Sequence, residues 1–146
     1  MLSQLVTSFI SSAAFCIIFN SPKQALLKCG FVGMVGWMVY IGLVNWDVNI
    51  ILANLIAAFA VAVISQTFAR RYKMPMIIFT VAGIIPLVPG GMAYDAMRHF
   101  VENDYPSAVE LSAKVFMLSG AIAMGLVLSE VMNQVYRKIR TRGVNL

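Results

Sequence analysis

The stretch Ile85-Pro86-Leu87-Val88-Pro89-Gly90-Gly91 interrupts an apolar segment, residues 74–94, that is long enough to cross a lipid bilayer. Each proline removes an amide donor and displaces the carbonyl four residues earlier, at Ala82 and Ile85, where hydrocarbon offers no water to satisfy the oxygen. Irregular backbone at membrane depth is tolerated only inside protein or beside a wet cavity. The stretch therefore predicts a broken membrane helix that borders a pathway for a polar solute.

The composition is that of an integral membrane protein. Hydrophobic residues make up 60% of the chain and charged residues 12%, and the mean hydropathy of +0.83 lies far above that of soluble domains. We expect a single membrane domain over residues 1–146. The net charge of +5 arises from lysine and arginine clusters beside apolar segments, so we expect no nucleic-acid partner. Cys16 and Cys29 lack the spacing and the histidine neighbours of a disulfide framework or a metal site, and we expect them to serve packing.

Five apolar segments approach the roughly 20 residues that a helix needs to cross a bilayer. They are residues 2–19, 25–44, 48–69, 74–94 and 111–136. The fold class is therefore all-α, a polytopic membrane protein with about five transmembrane helices, the fourth broken at Pro86-Pro89-Gly90-Gly91. Serine, threonine and glutamine make the outer half of the first segment polar, so four spans with an interfacial first helix are the alternative.

Loop charges predict the orientation, since lysine and arginine collect on the cytoplasmic side of short loops. With five spans one side carries Lys23, Lys28, Arg70, Arg71, Lys73, Arg137, Lys138, Arg140 and Arg142. The other side carries Arg98 and Lys114 together with Asp47, Glu102, Asp104 and Glu110. We therefore expect a periplasmic amino terminus and a cytoplasmic carboxyl terminus in a bacterial inner membrane.

Small residues recur at helical spacing and predict close helix packing. They are Ser8 and Ser12, then Gly30, Gly33 and Gly36, then Ala53, Ala57, Ala58 and Ala62, and finally Ala121, Gly125 and Ser129. So many seams suggest protein neighbours on several sides of most spans. We expect an obligate partner, with a homo-oligomer as the other form of association.

Pro89 suits the start of a second short helix, from about Gly90 toward Phe100. The amino terminus of that helix would aim free amides and a positive dipole end at the bilayer centre, which favours an anion such as a carboxylate. The predicted substrate contacts are Pro86, Pro89, Gly90, Gly91 and Tyr94. Asp95 and Arg98 are candidate coupling or gating residues further along the helix. The alternative is a bent helix with nothing bound.

Glu130 is the second candidate for proton coupling, because it lies in the last apolar segment among Leu126, Val127, Leu128 and Val131. Solvation at the inner interface, or pairing with Arg137 or Lys138, is the other interpretation. Four amide side chains are expected to bond between helices, those of Asn54, Gln66, Asn133 and Gln134. His99, the one histidine, is expected in an exposed loop.

The string Ile85-Pro86-Leu87-Val88-Pro89-Gly90-Gly91-Met92-Ala93-Tyr94 resembles the signature of the threonine/serine exporter superfamily, in its carboxyl-terminal five-span half. The turn at residues 19–26 and the Arg70-Arg71 loop before Met74-Pro75 extend the resemblance over almost the whole chain. Full-length members join this half to an amino-terminal half with its own spans. The resemblance therefore implies a half-transporter, the small subunit of the split two-component bacterial form, completed by a larger membrane subunit.

The resemblance also implies a substrate. The split form is associated with export of succinate and related four-carbon dicarboxylates, which we rank first, and fused relatives with export of threonine and serine, which we rank second. A non-transporting membrane scaffold is the remaining alternative. One histidine and two isolated cysteines do not supply the groups of an intramembrane enzyme, so we expect no catalytic activity, metal or cofactor.

Overall fold

The chain forms six α-helices in the computed structural model, which describes residues 2–142 and the side chains of residues 2–139. The helices are α1 (Leu2–Ile18), α2 (Leu26–Asn45), α3 (Ile50–Tyr72), α4 (Met76–Ile84), α5 (Gly90–Val101) and α6 (Tyr105–Arg142). Short 3₁₀ turns, Lys23–Ala25 and Ile85–Leu87, precede α2 and follow α4. No strand occurs within the described residues, and the predicted all-α class is confirmed.

Membrane-spanning capacity is clear for most of these helices. Among the described residues, Lys23–Asn45, Ile50–Tyr72 and Tyr105–Ile139 are long and apolar enough to cross a bilayer, and α4 with α5 would make a fourth, bent span. The 17 residues of α1 extend about 25 Å, less than the roughly 30 Å of a hydrocarbon core. This confirms a multi-pass membrane protein, whereas the count of five spans stays a prediction.

The tight turns between helices are built on left-handed residues. Asn20, Asp47, Lys73 and Asn103 all have positive φ, a conformation that asparagine and aspartate tolerate better than most side chains. Each lies just past the end of a helix, and the amide of the following residue donates back to a carbonyl in the last turn, as in Ser21 N to Cys16 O at 3.0 Å. Asn20 thus lies in the turn between α1 and α2, and Asp47 in the turn between α2 and α3.

His99 lies in α5 rather than in an exposed loop, so that prediction was wrong. The helix runs on to Val101 because the left-handed Asn103, and not the histidine, ends it. His99 Nδ1 lies 3.2 Å from Asp104 Oδ2 in the turn that follows. The hydrogen bond from Ser107, and then the nearby His99, hold the pKa of the Asp104 carboxyl below its usual value.

The small-residue seams pack within the chain. A β-carbon at Gly30 would lie 2.7 Å from the Phe9 ring, and one at Gly125 would lie 2.6 Å from the Leu55 carbonyl oxygen. These glycines therefore let α1 approach α2, and α6 approach α3, more closely than any other residue would. Because the seams have partners inside the bundle, the expectation of an obligate partner depends on other features.

Two apolar clusters hold the helices together. The first joins α2, α3, α6 and the 3₁₀ turn before α5, through Val32, Ala57, Ala58, Val61, Leu87 and Ile122. The second contains both cysteines, free and buried, with Ala25, Phe79 and Ala82. The first cluster matters most for the site, because Leu87 anchors the interrupted segment in the protein interior.

Candidate functional site

The interruption predicted at residues 85–91 is confirmed. α4 ends at Ile84, one 3₁₀ turn covers Ile85–Leu87, and α5 begins at Gly90 with its axis turned by 53°. Local bonds satisfy part of the freed backbone, since Val88 N donates to Ile85 O at 3.4 Å and Gly90 N donates to Val88 O at 2.8 Å. The Ile85 carbonyl, which Pro89 deprives of its helical donor, therefore has a partner after all.

Close backbone contacts bury the end of α4. A β-carbon at Gly83 would lie 2.6 Å from Val32 Cγ1 and 2.7 Å from Val61 Cγ1, so α4 touches both α2 and α3 there. Leu87 and Pro89 are buried, whereas Val88 between them is exposed. The protein thus shields the irregular backbone on one side, as its position in a membrane segment requires.

One cavity lies between α1, α2 and the interruption, and we call it the hydroxyl cavity. Its volume is about 310 Å³, and its lining is Ser3, Gln4, Thr7, Ser8 and Ser11 of α1 with Trp37 and Pro86 opposite. The α1 residues recur every three or four positions and so share one face of the helix. No charged side chain lines this cavity.

Two buried polar atoms near the hydroxyl cavity, Trp37 Nε1 and Ser12 Oγ, have no hydrogen-bond partner among the described residues. Ser12 is fully buried one turn beyond Ser8, against Gly33. An indole N–H inside a protein usually finds an acceptor, so the bare Trp37 donor is unusual. Sequence reasoning missed Trp37 altogether, because a single tryptophan within an apolar span carries no positional signal.

A second cavity of about 500 Å³ opens near the start of α5, and we call it the lysine cavity. Met92 in the first turn of α5 and Lys114 of α6 both line it, together with Asp47, Asn49 and Leu118. α5 and α6 form a hairpin, which brings residue 92 alongside residues 114–118. Lys114 Nζ also lies 2.7 Å from Glu110 Oε1 on the exposed side of α6.

The first turn of α5 has no side-chain cap, since Pro89 precedes it and offers none. First-turn amides of an α-helix lack partners within the helix, so this end of α5 is suited to an anion. Gly90 N already donates to Val88 O, and a β-carbon at Gly90 or Gly91 would meet nothing among the described residues within 4 Å, so the approach to the amides that follow is open. Met92 of this turn lines the lysine cavity, so the start of α5 borders a cavity whose wall carries both the Lys114 ammonium group and the Asp47 carboxylate.

The predicted site residues fall into separate groups. Pro86 lines the hydroxyl cavity, while Gly90 and Gly91 lie at the open end of α5 and Tyr94 on the same helix is 69% exposed. Asp95 is half-buried, and Arg98 Nε lies 3.7 Å from Glu102 Oε1 at the surface. Their role as substrate contacts or gating residues stays a prediction.

Glu130 lies apart from all of these. Its Oε1 accepts a bond from Gln134 Nε2 at 3.3 Å, one turn along α6. Ser112, Val115, Phe116 and Ser119 line the α6 side of the groove between α5 and α6, and 11 residues of helix, or about 16 Å, separate Ser119 from Glu130. The structure therefore does not bring Asp95 and Glu130 together.

Two basic residues, Lys28 at the start of α2 and Arg70 at the end of α3, lie at one end of the bundle. Lys28 Nζ lies 3.3 Å from the centre of the Tyr72 ring, which ties the start of α2 to the end of α3. Arg70 donates to Asn133 Oδ1, and Gln66 Nε2 donates to Ser129 Oγ at 3.1 Å, so α3 and α6 are joined there too. The expected bonds between helices are thus present for Gln66 and Asn133, and for Asn54, whose Nδ2 donates to Leu118 O at 3.4 Å.

The sequence matches the family described as "Threonine/Serine exporter, ThrE" over residues 4–132, which includes α1 to α5 and most of α6. The chain belongs to the threonine/serine exporter family. Membership identifies it as a transporter-type membrane protein, and it confirms the resemblance carried by residues 85–94.

The chain also matches part of a longer protein. An uncharacterized protein of Haemophilus influenzae is 28% identical over 136 residues, which cover 88% of this chain and 46% of that protein. The chain thus spans about half the length of this curated relative. No solved structure matches the chain.

Proposed function

We propose that this chain is a subunit of a bacterial inner-membrane exporter of small carboxylates, completed by a larger membrane subunit of the same family. The observation that carries the proposal is the broken span, whose open helix start lies beside Lys114 in a chain of the threonine/serine exporter family. The role is transport rather than catalysis. A gradient of an ion or of the substrate would drive export, with Asp95 or Glu130 as coupling groups.

The lysine cavity supports a carboxylate substrate. Helix-start amides and an ammonium group both favour negative charge. A substrate carboxylate would take the place of Glu110, whose bond to Lys114 lies at the exposed surface. Exchanging one exposed carboxylate for another costs little, because exposed ion pairs contribute about 0–1 kcal/mol.

Succinate and related four-carbon dicarboxylates are the first substrate class, on the resemblance to the split form of the family. Threonine and serine are the second, and the description of the family favours them. Both classes carry a carboxylate that the lysine cavity would hold. They differ in the group at the other end of the molecule, which is a second carboxylate or a hydroxyl.

The exposed polar face of α1 supports a larger partner. Ser3, Gln4 and Thr7 are exposed, and an uncovered polar face at membrane depth is unfavourable in lipid. A second subunit would cover this face and close the hydroxyl cavity. The family relative of about twice the length supports the same conclusion.

The gathered basic residues support the orientation. With Lys28, Arg70 and Arg71 at the cytoplasmic end, the carboxyl terminus of α6 is cytoplasmic and the lysine cavity opens toward the periplasm.

The test is efflux from preloaded cells that carry this chain alone, a candidate large subunit alone, or both. Cells would be loaded with labelled succinate or labelled threonine. We expect export only when both subunits are present, with succinate exported faster. Export by this chain alone would contradict the two-subunit proposal, and no export by the pair would leave a non-transporting scaffold as the better account.

A further inference from the structure

We propose that the hydroxyl cavity is a substrate subsite, in which α1 and Trp37 hold an oxygen-bearing group of a small carboxylate. The proposal rests on the proposed function for the class of ligand. It adds a site that lies apart from the helix start at Gly90, and it assigns a role to the first helix.

The polar face of α1 is the first observation that supports the subsite. A helix that only packed or faced lipid would have no use for Ser3, Gln4, Thr7 and Ser11 on one face. Thr7 Oγ1 donates to Ser3 O at 2.7 Å, and Ser8 Oγ donates to Gln4 O at 2.8 Å. Each of these two hydroxyls therefore uses its donor within α1. Their remaining lone pairs, and the amide of Gln4, stay available to a solute.

The unpaired indole N–H of Trp37 is the second observation that supports the subsite. A buried donor without a partner is unfavourable, and Trp37 Nε1 has no partner among the described residues. The Trp37 ring packs against Tyr40 with centroids 5.4 Å apart, and Trp37 also lines the hydroxyl cavity. A small movement of this ring would bring the N–H to an acceptor that a ligand supplies.

The chemistry of the lining limits the ligand. Hydroxyl, amide and indole groups without any charged side chain bind oxygen atoms by hydrogen bonds, in a carboxyl group or in a hydroxyl. The volume of about 310 Å³ lies at the lower end of the roughly 300–1,000 Å³ typical of small-molecule sites. The cavity therefore suits one end of a small solute, with the opposite wall formed by Pro86 of the interruption.

Cysteine labelling in native membranes tests the proposal, with the chain produced together with the candidate large subunit. Thr7→Cys and Ser11→Cys place thiols in the cavity, and Ile10→Cys is the matched control on the same helix, exposed but outside the cavity. The native Cys16 and Cys29 are buried, and the unsubstituted chain gives their background. A membrane-impermeant thiol reagent is applied with and without solutes.

The solutes form two matched pairs, succinate with butyrate and serine with alanine. We expect Thr7→Cys and Ser11→Cys to react faster than Ile10→Cys, and succinate or serine to slow the reaction while its matched solute does not. Protection by succinate identifies a carboxyl group in the cavity, and protection by serine identifies a hydroxyl. Adding Trp37→Phe should raise the half-protecting concentration about tenfold, the equivalent of about 1.4 kcal/mol, whereas Trp46→Phe in the α2–α3 turn should not.

Two results would overturn the subsite. Thiols at residues 7 and 11 that react no faster than one at residue 10 would show that water does not reach the cavity. Equal protection within each pair, or none, would show that no oxygen-bearing group binds there. Labelling does not depend on transport, so the two proposals can fail separately. Protection without efflux would refute the exporter and support the subsite. Efflux without protection would support the exporter and refute the subsite.

Discussion

The side chain of Ser12 on α1 lies against the backbone of Gly33 on α2. A β-carbon at residue 33 would be 1.8 Å from Ser12 Oγ and 2.7 Å from Ser12 Cβ, so no rotation of the serine could make room. The same β-carbon would lie 3.5 Å from Pro86 Cγ. Gly33 therefore sets the distance between α1, α2 and the interruption, and with it the shape of the hydroxyl cavity.

Gly33→Ala should destabilise the protein, because α1 must move away from α2. Overpacking of this kind typically costs about 1–3 kcal/mol. Thermal unfolding of the purified protein measures the change. Gly42→Ala on the same helix is the control, since its β-carbon meets nothing within 4 Å, and alanine should raise stability there by up to about 1 kcal/mol. Equal midpoints for the two variants would contradict the close contact.

Gly125→Ala should separate α6 from α3. Its β-carbon would lie 2.6 Å from Leu55 O and 3.0 Å from Phe59 N. These are backbone atoms, so no side-chain rotation can relieve the clash. We expect a lower unfolding midpoint, as for Gly33→Ala, and a smaller yield of folded protein in membranes. Gly120→Ala, on the open face of α6, should raise the midpoint slightly, as for Gly42→Ala. If both variants retained the wild-type midpoint, α6 would not pack on α3 through this glycine.

Lys114→Gln should weaken substrate binding, since the lysine cavity would lose its positive charge. An ion pair at this exposed position contributes up to about 1 kcal/mol, so we expect the KM for efflux to rise by up to about fivefold. Lys114→Arg should keep most of the affinity, and Lys73→Gln in the α3–α4 turn should leave it unchanged. An unaltered KM in Lys114→Gln would remove the lysine cavity from the binding site.

Glu130→Gln tests proton coupling. The amide can keep the bond to Gln134 but cannot take up or release a proton. If Glu130 couples export to protons, efflux should fall at least tenfold and lose its dependence on pH. Glu102→Gln, at the surface beside Arg98, should retain the wild-type pH profile. Full activity of Glu130→Gln at every pH would leave Asp95 as the remaining candidate.

Much of the fold could be predicted from local signals. The two prolines and the glycine pair at residues 86–91 sufficed to locate the interruption and the start of α5. Proline excludes regular helix at those positions whatever surrounds them. Asn20 and Asp47 follow the ends of α1 and α2, where left-handed backbone favours asparagine and aspartate.

The candidate site depends on contacts between residues that are distant in the sequence, so less of it could be predicted. Trp37 and Pro86 are far apart in the sequence, and only the packing of α2 against the interruption brings them to one cavity. The sequence places Lys114 near the end of an apolar segment. The α5–α6 hairpin brings it to the same cavity as Met92, which the sequence does not indicate. The glycine seams left the partner undecided, since composition cannot tell whether a small residue packs inside the chain or against a second subunit.

Efflux by Gly90→Leu tests most directly whether the interruption belongs to the transport pathway. Nothing in the chain lies within 4 Å of a β-carbon at Gly90, and its φ is not positive, so the fold should accept leucine. Together with the large subunit, the variant should export neither succinate nor threonine and should still co-purify with its partner, while Gly42→Leu exports as the wild type. Wild-type efflux by Gly90→Leu would contradict the account and reduce the interruption to a bend in the helix.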